Sequence, residues 1–404
     1  FARARCPAAS PSTMPACLSR EVLPVWLEGA FDTRREQLVF VGLLLLGWLT
    51  LNVGLHFFSL YAVSERIGFD FPLFYTMWHM IISFGGSSLL IFGFQYAEIS
   101  WGHWKAYQGQ IILLSVLFCI SYAANIASLA HLSLSVNLIV SACVPLPTIA
   151  FSIAFERDAI GQPITYPRRV VAAVLVTMAG AIVAVANHPE ASPFGLVLVI
   201  IASLVAALWA VVSATLMKPE TGLGAINLTW YSSFVSALMF LPMWLCSREL
   251  SGTLAFIVSR PGEASALLLA GGCLALLYNL SHFALIRASS ALSATVAGDL
   301  KIVLFTLLSM ALFERPAPSP LVFIGTLIFL VGLAGYAYAA NRDKRQLLCR
   351  DGREDGDAEG APSAEEAYAA QVRAQVQRVK LEPQTPPPRR QTPPATETST
   401  LIGK

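Results

Sequence analysis

Two ionisable side chains stand where a chain this apolar has little room for them. Lys301 lies near the middle of the run Ser293–Arg315, SATVAGDLKIVLFTLLSMALFER, and Asp299 lies two residues before it. A charge at mid-bilayer costs about 2.5–3.5 kcal/mol on insertion scales, so a span that keeps one faces a wet cavity, a partner or a ligand. The two-residue helical offset puts Asp299 and Lys301 on different faces, which makes direct neutralisation poor. The depth of Lys301 works against snorkelling to an interface. A compact ammonium in a low dielectric attracts phosphate strongly. Lys301 therefore reads as an anion-holding residue.

The neighbouring apolar run carries Tyr278, Asn279 and His282, with Tyr278 and His282 four residues apart on one helical face. A phenol and an amide can orient phosphate or sugar oxygens, and such groups also serve as hydrogen-bonding glue between membrane helices. For Asn279 and His282 glue is the expected role. Further back, Tyr122, Asn125, Asn137 and Ser141 are polar in apolar surroundings, and Pro145 and Pro147 are expected to break a helix and free carbonyls there. The candidate substrate-binding set is thus Lys301, Tyr278, Asn279, Asp299, Asn125 and Ser141. The seven cysteines have no ligand-like spacing, so neither a metal site, a cofactor nor a disulfide framework is expected. No nucleophile–base pair, P-loop or zinc motif is visible, which argues against an enzyme.

The elements that position these residues are membrane helices. The 404-residue chain is 55% hydrophobic and 13% charged, where soluble domains run near ~25% charged. Its net charge of +2 points to no nucleic-acid partner. Apolar runs near spanning length fall at 38–60, 72–94, 109–130, 133–155, 169–187, 193–217, 225–246, 263–286, 290–313 and 318–340. The fold class is all-α: a polytopic bundle of ten transmembrane helices. Lys and Arg in the short loops favour both termini in the cytosol.

An internal repeat organises the ten. SVNLIVSACVPLPTIAFSIAFER, ending at Arg157, matches the run ending at Arg315 in length, in its opening Ser and in its closing Phe-Glu-Arg. The offset of five spans is odd, so the two copies are expected upside down relative to one another, an arrangement that places transporter sites at the repeat interface. The division is 1–37 N-terminal segment, 38–187 and 188–340 inverted five-helix repeats, and 341–404 a disordered cytosolic tail. Glu156–Arg157 and Glu314–Arg315 are expected as helix-end charges at the water boundary.

At these residues the chain resembles the triose-phosphate and nucleotide-sugar translocators of the drug/metabolite transporter superfamily. The resemblance covers about residues 48–340. It rests on Trp48 to Asn52, on FPLFYTMWHM at Phe71 to Met80, on NIASLAHLSLSVNLIVSACVP, on Leu277 to Asn279 and, most strongly, on SSALSATVAGDLK ending at Lys301. It implies a 5+5 fold, strict exchange of phosphorylated solutes, and Tyr278 and Lys301 on the substrate phosphate. Plastid members follow the lysine with an arginine and carry a second lysine earlier; here those positions are Ile302 and Ser141. A single lysine is closer to nucleotide-sugar members, and to a Golgi or endoplasmic-reticulum membrane rather than a plastid envelope. The expected function is a secondary antiporter exchanging a nucleotide sugar or sugar phosphate for a nucleotide monophosphate or phosphate, with the lipid bilayer as its other partner. The alternatives are an exporter of uncharged metabolites and a non-transporting scaffold working through its tail.

Overall fold

The computed structural model describes residues 34–354, apart from 64–66, 100, 133, 158–162, 186–191, 219–220, 222 and 313–319. The N-terminal segment to residue 33, Glu314–Arg315 and the tail beyond 354 lie outside these residues. What is described is helical: α1 (Arg34–Val63), α2 (Pro72–Ser88), α3 (Trp101–Leu129), α4 (Leu134–Ser141), α5 (Pro145–Phe155), α6 (Arg168–Val185), α7 (Pro193–Leu216), α8 (Ala225–Leu245), α9 (Glu249–Ser259), α10 (Pro261–Ala288), α11 (Ala291–Leu312) and α12 (Pro320–Glu354). A single π-turn, Leu89–Gly93, extends α2. Five of these helices open on proline (α2, α5, α7, α10, α12), where the fixed φ suits a first turn and the missing N–H has no intrahelical use.

Eight stretches among the described residues are long and apolar enough to cross a membrane, so this is a multi-pass membrane protein. The runs assigned above to a fifth and a ninth span form helices too, α6 and α11, of 18 and 22 residues. Three features depart from the sequence expectation. The run 133–155 is two helices meeting at a turn over Ala142–Val144, whereas its repeat partner, α11, is continuous. Pro145 causes the break, but the loosened carbonyls are taken up locally: Val144 N–H donates to Ser141 O at 3.2 Å and Leu146 N–H to Cys143 O at 3.1 Å. A short helix, α9, fills the link between α8 and α10. The last helix continues past its apolar stretch to Glu354.

In lipid, helices gain little from the hydrophobic effect against one another, and close packing through small residues takes its place. α6 and α12 show this at backbone range. A Cβ added to Gly180 would lie 2.2 Å from Phe329 N, one on Gly325 2.2 Å from Ala184 N, and one on Gly332 2.4 Å from Thr177 N. α11 packs against α1, α5, α6, α7 and α10. One buried cluster joins Trp48 and Leu49 to Leu114, Leu216, Tyr231, Phe283 and Ala297. α11 therefore enters the bundle with its polar residues facing other helices, as its sequence required.

Candidate functional site

Lys301 is partly buried and Asp299 almost wholly so, at 2% exposure. Among the described residues the only ion pair is Arg260–Glu263, at 3.4 Å, so the two do not clasp one another. Asp299 Oδ2 has no hydrogen-bond partner. Lys301 lies within electrostatic reach of His56 on α1, His282 on α10 and Asp299. The ammonium thus faces two imidazoles from other helices. It is neither quenched by a carboxylate at contact distance nor fully open.

Rings from three helices gather around His282. Trp48 on α1 lies 6.3 Å from Tyr278 and 5.3 Å from His282, and Trp209 on α7 lies 5.3 Å from His282, centroid to centroid. Tyr278 O and His282 Nδ1 are hydrogen-bonded at 3.3 Å, which the four-residue spacing foretold. The Trp48 indole N–H is buried without an acceptor. Tyr278 and His282 are therefore brought together between Trp48 and Trp209, and Lys301 lies within electrostatic reach of His282.

A narrow cleft of about 20 Å³, room for about one water, borders Trp209. Met80 of α2, Ser115 and Phe118 of α3, Ser232, Ser233 and Ser236 of α8, and Asn279 of α10 line much of it. Of the six candidates only Asn279 borders it, and its amide also donates to Ser83 Oγ at 3.1 Å, as interhelical glue would. Asn125 is placed elsewhere: its Oδ1 accepts from Asn137 at 2.9 Å, and Asn137 also donates to Ser128 at 2.8 Å, closing the tight α3–α4 turn. Ser141 ends α4 and gives its carbonyl to Val144. The serines on α8 were missed in the sequence. Their signal was the pattern Ser232-Ser233-x-x-Ser236, a polar stripe one turn long in an apolar span.

Glu156 corrects an expectation. It is 6% exposed rather than at the water boundary, and Ser152 donates to its carboxylate at 3.2 Å. Burial pushes its carboxyl up, while Ser152 and Lys218 oppose that. Residues from other segments, Tyr166 in the link before α6 and Lys218, lie within electrostatic reach of it. Arg157 does sit at the surface, donating to Ala154 O and Glu156 O. The four cysteines whose side chains are described, Cys119, Cys143, Cys246 and Cys273, are free.

The sequence profile of the Triose-phosphate Transporter family matches residues 39–337. The chain is 26% identical over 311 residues to UDP-uronic acid transporter 1 of Arabidopsis thaliana, covering 76% of this chain and 94% of that one. It is 27% identical over 311 residues to a probable sugar phosphate/phosphate translocator of the same plant, covering 74% and 96%. It is 24% identical over 316 residues to an Arabidopsis GDP-mannose transporter, covering 77% and 89%. One solved structure shares the fold at a TM-score of 0.53 and 16% identity, covering 77% of this chain and 100% of that one.

Proposed function

We propose, since the chain belongs to the Triose-phosphate Transporter family, that it is a secondary antiporter. It exchanges a nucleotide sugar or sugar phosphate for a nucleotide monophosphate or inorganic phosphate across an organelle membrane. The observation that carries this reading is Lys301: a side chain held inside the bundle within electrostatic reach of α1 and α10, with no carboxylate at ion-pair distance among the described residues. Relatives named for UDP-uronic acid, sugar phosphate and GDP-mannose support a phosphorylated cargo. In this reading Lys301 holds phosphate, Tyr278 orients it, and Asn279 and the α8 serines meet the polar remainder of the cargo. Asp299 offsets the ammonium while the site is empty, and Asn125 and Ser141 belong to the opposing repeat. Ten spans in two inverted five-helix repeats, 38–187 and 188–340, rock about that site to alternate access. The absence of a second cation, with Ile302 following the lysine, favours a Golgi or endoplasmic-reticulum membrane with both termini cytosolic.

A thermal melt of the purified protein tests the cargo class. A phosphorylated solute at a hundred times its Kd adds about 2.7 kcal/mol of stability, so cognate nucleotide sugars, nucleotide monophosphates or sugar phosphates are expected to raise Tm. The cleft itself favours a second reading, an exporter of uncharged metabolites, because hydroxyls and one amide line it with no charged side chain. That reading requires neutral sugars to raise Tm and phosphorylated ones to leave it alone. Deleting residues 355–404 is expected to leave exchange unchanged within about twofold, since none of the candidate site residues lies in that stretch. Loss of flux on deletion supports a tail-dependent scaffold instead.

A further inference from the structure

Rings packed mostly edge to face crowd one end of the cleft, and beyond them a single carboxylate ties α9 to α2. Following the helices from Met80, Phe118 and Ser236, the next layer is Tyr122 and Phe240, 5.7 Å apart, with Phe118 6.0 Å from Phe240. Beyond it Phe74 lies 5.0 Å from Trp244, and Phe69 lies 5.1 Å from Phe256 of α9. Over this plug α9 folds back onto the start of α2. Glu249, its first residue, accepts from Leu73 N–H at 3.0 Å and from Phe74 N–H at 3.2 Å. These are unpaired donors of the α2 N-terminus, where the helix dipole favours an anion. Gly252 rests on Phe71: a Cβ there would meet its ring at 2.6 Å. Arg260 Nη1 reaches Ile67 O at 3.4 Å. The loop that presents Phe69 turns through Gly68 at φ 71° and returns its chain to α1 by Phe69 N–H to Ala62 O at 2.9 Å.

We propose that Glu249 is a latch: it ties α9 to α2 across the mouth of the cleft, and the mouth opens on that side when the carboxylate lets go. The proposal rests on the transport reading for its purpose, and it assigns the gate on the face opposite the cytosol in the orientation set by the loop charges. The closed latch also responds to pH. Burial pushes the Glu249 carboxyl above the usual carboxylate range and Asp70 adds to this, while the Leu73 and Phe74 N–H groups oppose it. The charged or titratable groups that face it are Asp70 in the loop and Tyr122 of α3; Arg248 precedes it, and Arg260 and Glu263 pair with each other. A carboxyl that holds its proton more tightly when buried than when released favours the buried state as pH falls. Acid therefore closes the latch, and neutral pH loosens it.

The test is accessibility, which needs no knowledge of the cargo. On a cysteine-free background, Ser236→Cys reports the cleft to a membrane-impermeant thiol reagent applied from the latch side in reconstituted full-length protein. Removing the acceptor by Glu249→Ala is expected to speed labelling roughly tenfold, the change matching about one charge-assisted hydrogen bond. Glu249→Gln, which stands in for the protonated carboxyl and keeps one acceptor oxygen, is expected to label no faster than the unsubstituted protein. From about pH 7.5 to about pH 5.5 the labelling rate without a Glu249 substitution, divided by that of Glu249→Gln, is expected to fall, a ratio that cancels the thiol's own titration. Unchanged labelling in Glu249→Ala overturns the latch, and a flat ratio overturns its pH response. A latch that passes in a protein that exchanges no phosphorylated solute would instead count against the cargo assignment alone.

Discussion

Replacing Lys301 by alanine is expected to abolish exchange of phosphorylated solutes in proteoliposomes while the bundle still folds. The size follows from electrostatics: at 4 Å and an effective dielectric of 20 an ion pair is worth about 4 kcal/mol, or roughly a thousandfold in affinity. Folding survives because Lys301 makes no ion pair that its removal would break. Lys301→Arg keeps the charge but replaces a compact ammonium by a planar fork, and should retain part of the activity. Uptake of labelled substrate against a preloaded counter-substrate checks all of this, with the melting temperature of each variant as the folding control. Exchange at the normal rate in Lys301→Ala would remove the lysine from the mechanism.

The second large effect concerns the scaffold. Gly325→Leu is expected to leave little folded protein, because its Cβ would stand 2.2 Å from the Ala184 backbone nitrogen and 2.6 Å from Ala184 Cα. A side chain in the way can rotate; a backbone in the way forces α6 and α12 apart along their whole contact, through Gly180 and Gly332 as well. Ordinary overpacking costs about 1–3 kcal/mol, and a clash with main chain lies at or beyond the top of that range. Gly298→Ala supplies the contrast. A Cβ there meets nothing within 4 Å, and alanine gains about 1 kcal/mol of helix propensity over glycine. Melting in detergent should therefore fall steeply or be lost for Gly325→Leu and hold or rise for Gly298→Ala.

Gly298 also marks how far the sequence could be read. By sequence it reads like Gly180, Gly195, Gly271 and Gly272, small residues that permit close helix contact, and in the structure those four meet a neighbour while Gly298 does not. Gly195 meets Leu132 and His131, Gly271 meets Tyr75, and Gly272 meets Ile82. Sequence spacing says that a glycine lies on a helix, not which face its neighbour occupies. The helices were legible because lipid forces every backbone group to pair within its own segment. The failure of Asp299 and Lys301 to pair was legible from a two-residue offset, and the Tyr278–His282 bond from a four-residue one.

What stayed hidden depended on contacts between distant segments. Glu156 is buried, with Tyr166 and Lys218 of other segments within electrostatic reach, and nothing in the local sequence records that. Trp48 and Trp209 are separated by 161 positions and meet only through His282. Serine is small enough to pass unnoticed in an apolar span, so the α8 stripe looked like filler until the cleft gave it a purpose. α9 escaped because an eleven-residue helix is too short to announce itself as a span. Asn125 has a partner that the sequence did not indicate, since Asn137 donates to its carbonyl oxygen.

The account turns on whether phosphate seeks out one ammonium in the interior of the bundle. A structure determined with a nucleotide sugar or nucleotide monophosphate bound would show it directly. The prediction is a phosphate oxygen within about 2.7–2.9 Å of Lys301 Nζ, with the Tyr278 hydroxyl turned toward the same group. A ligand seated wholly among Ser232, Ser233 and Ser236, with no phosphate near Lys301, would contradict the account.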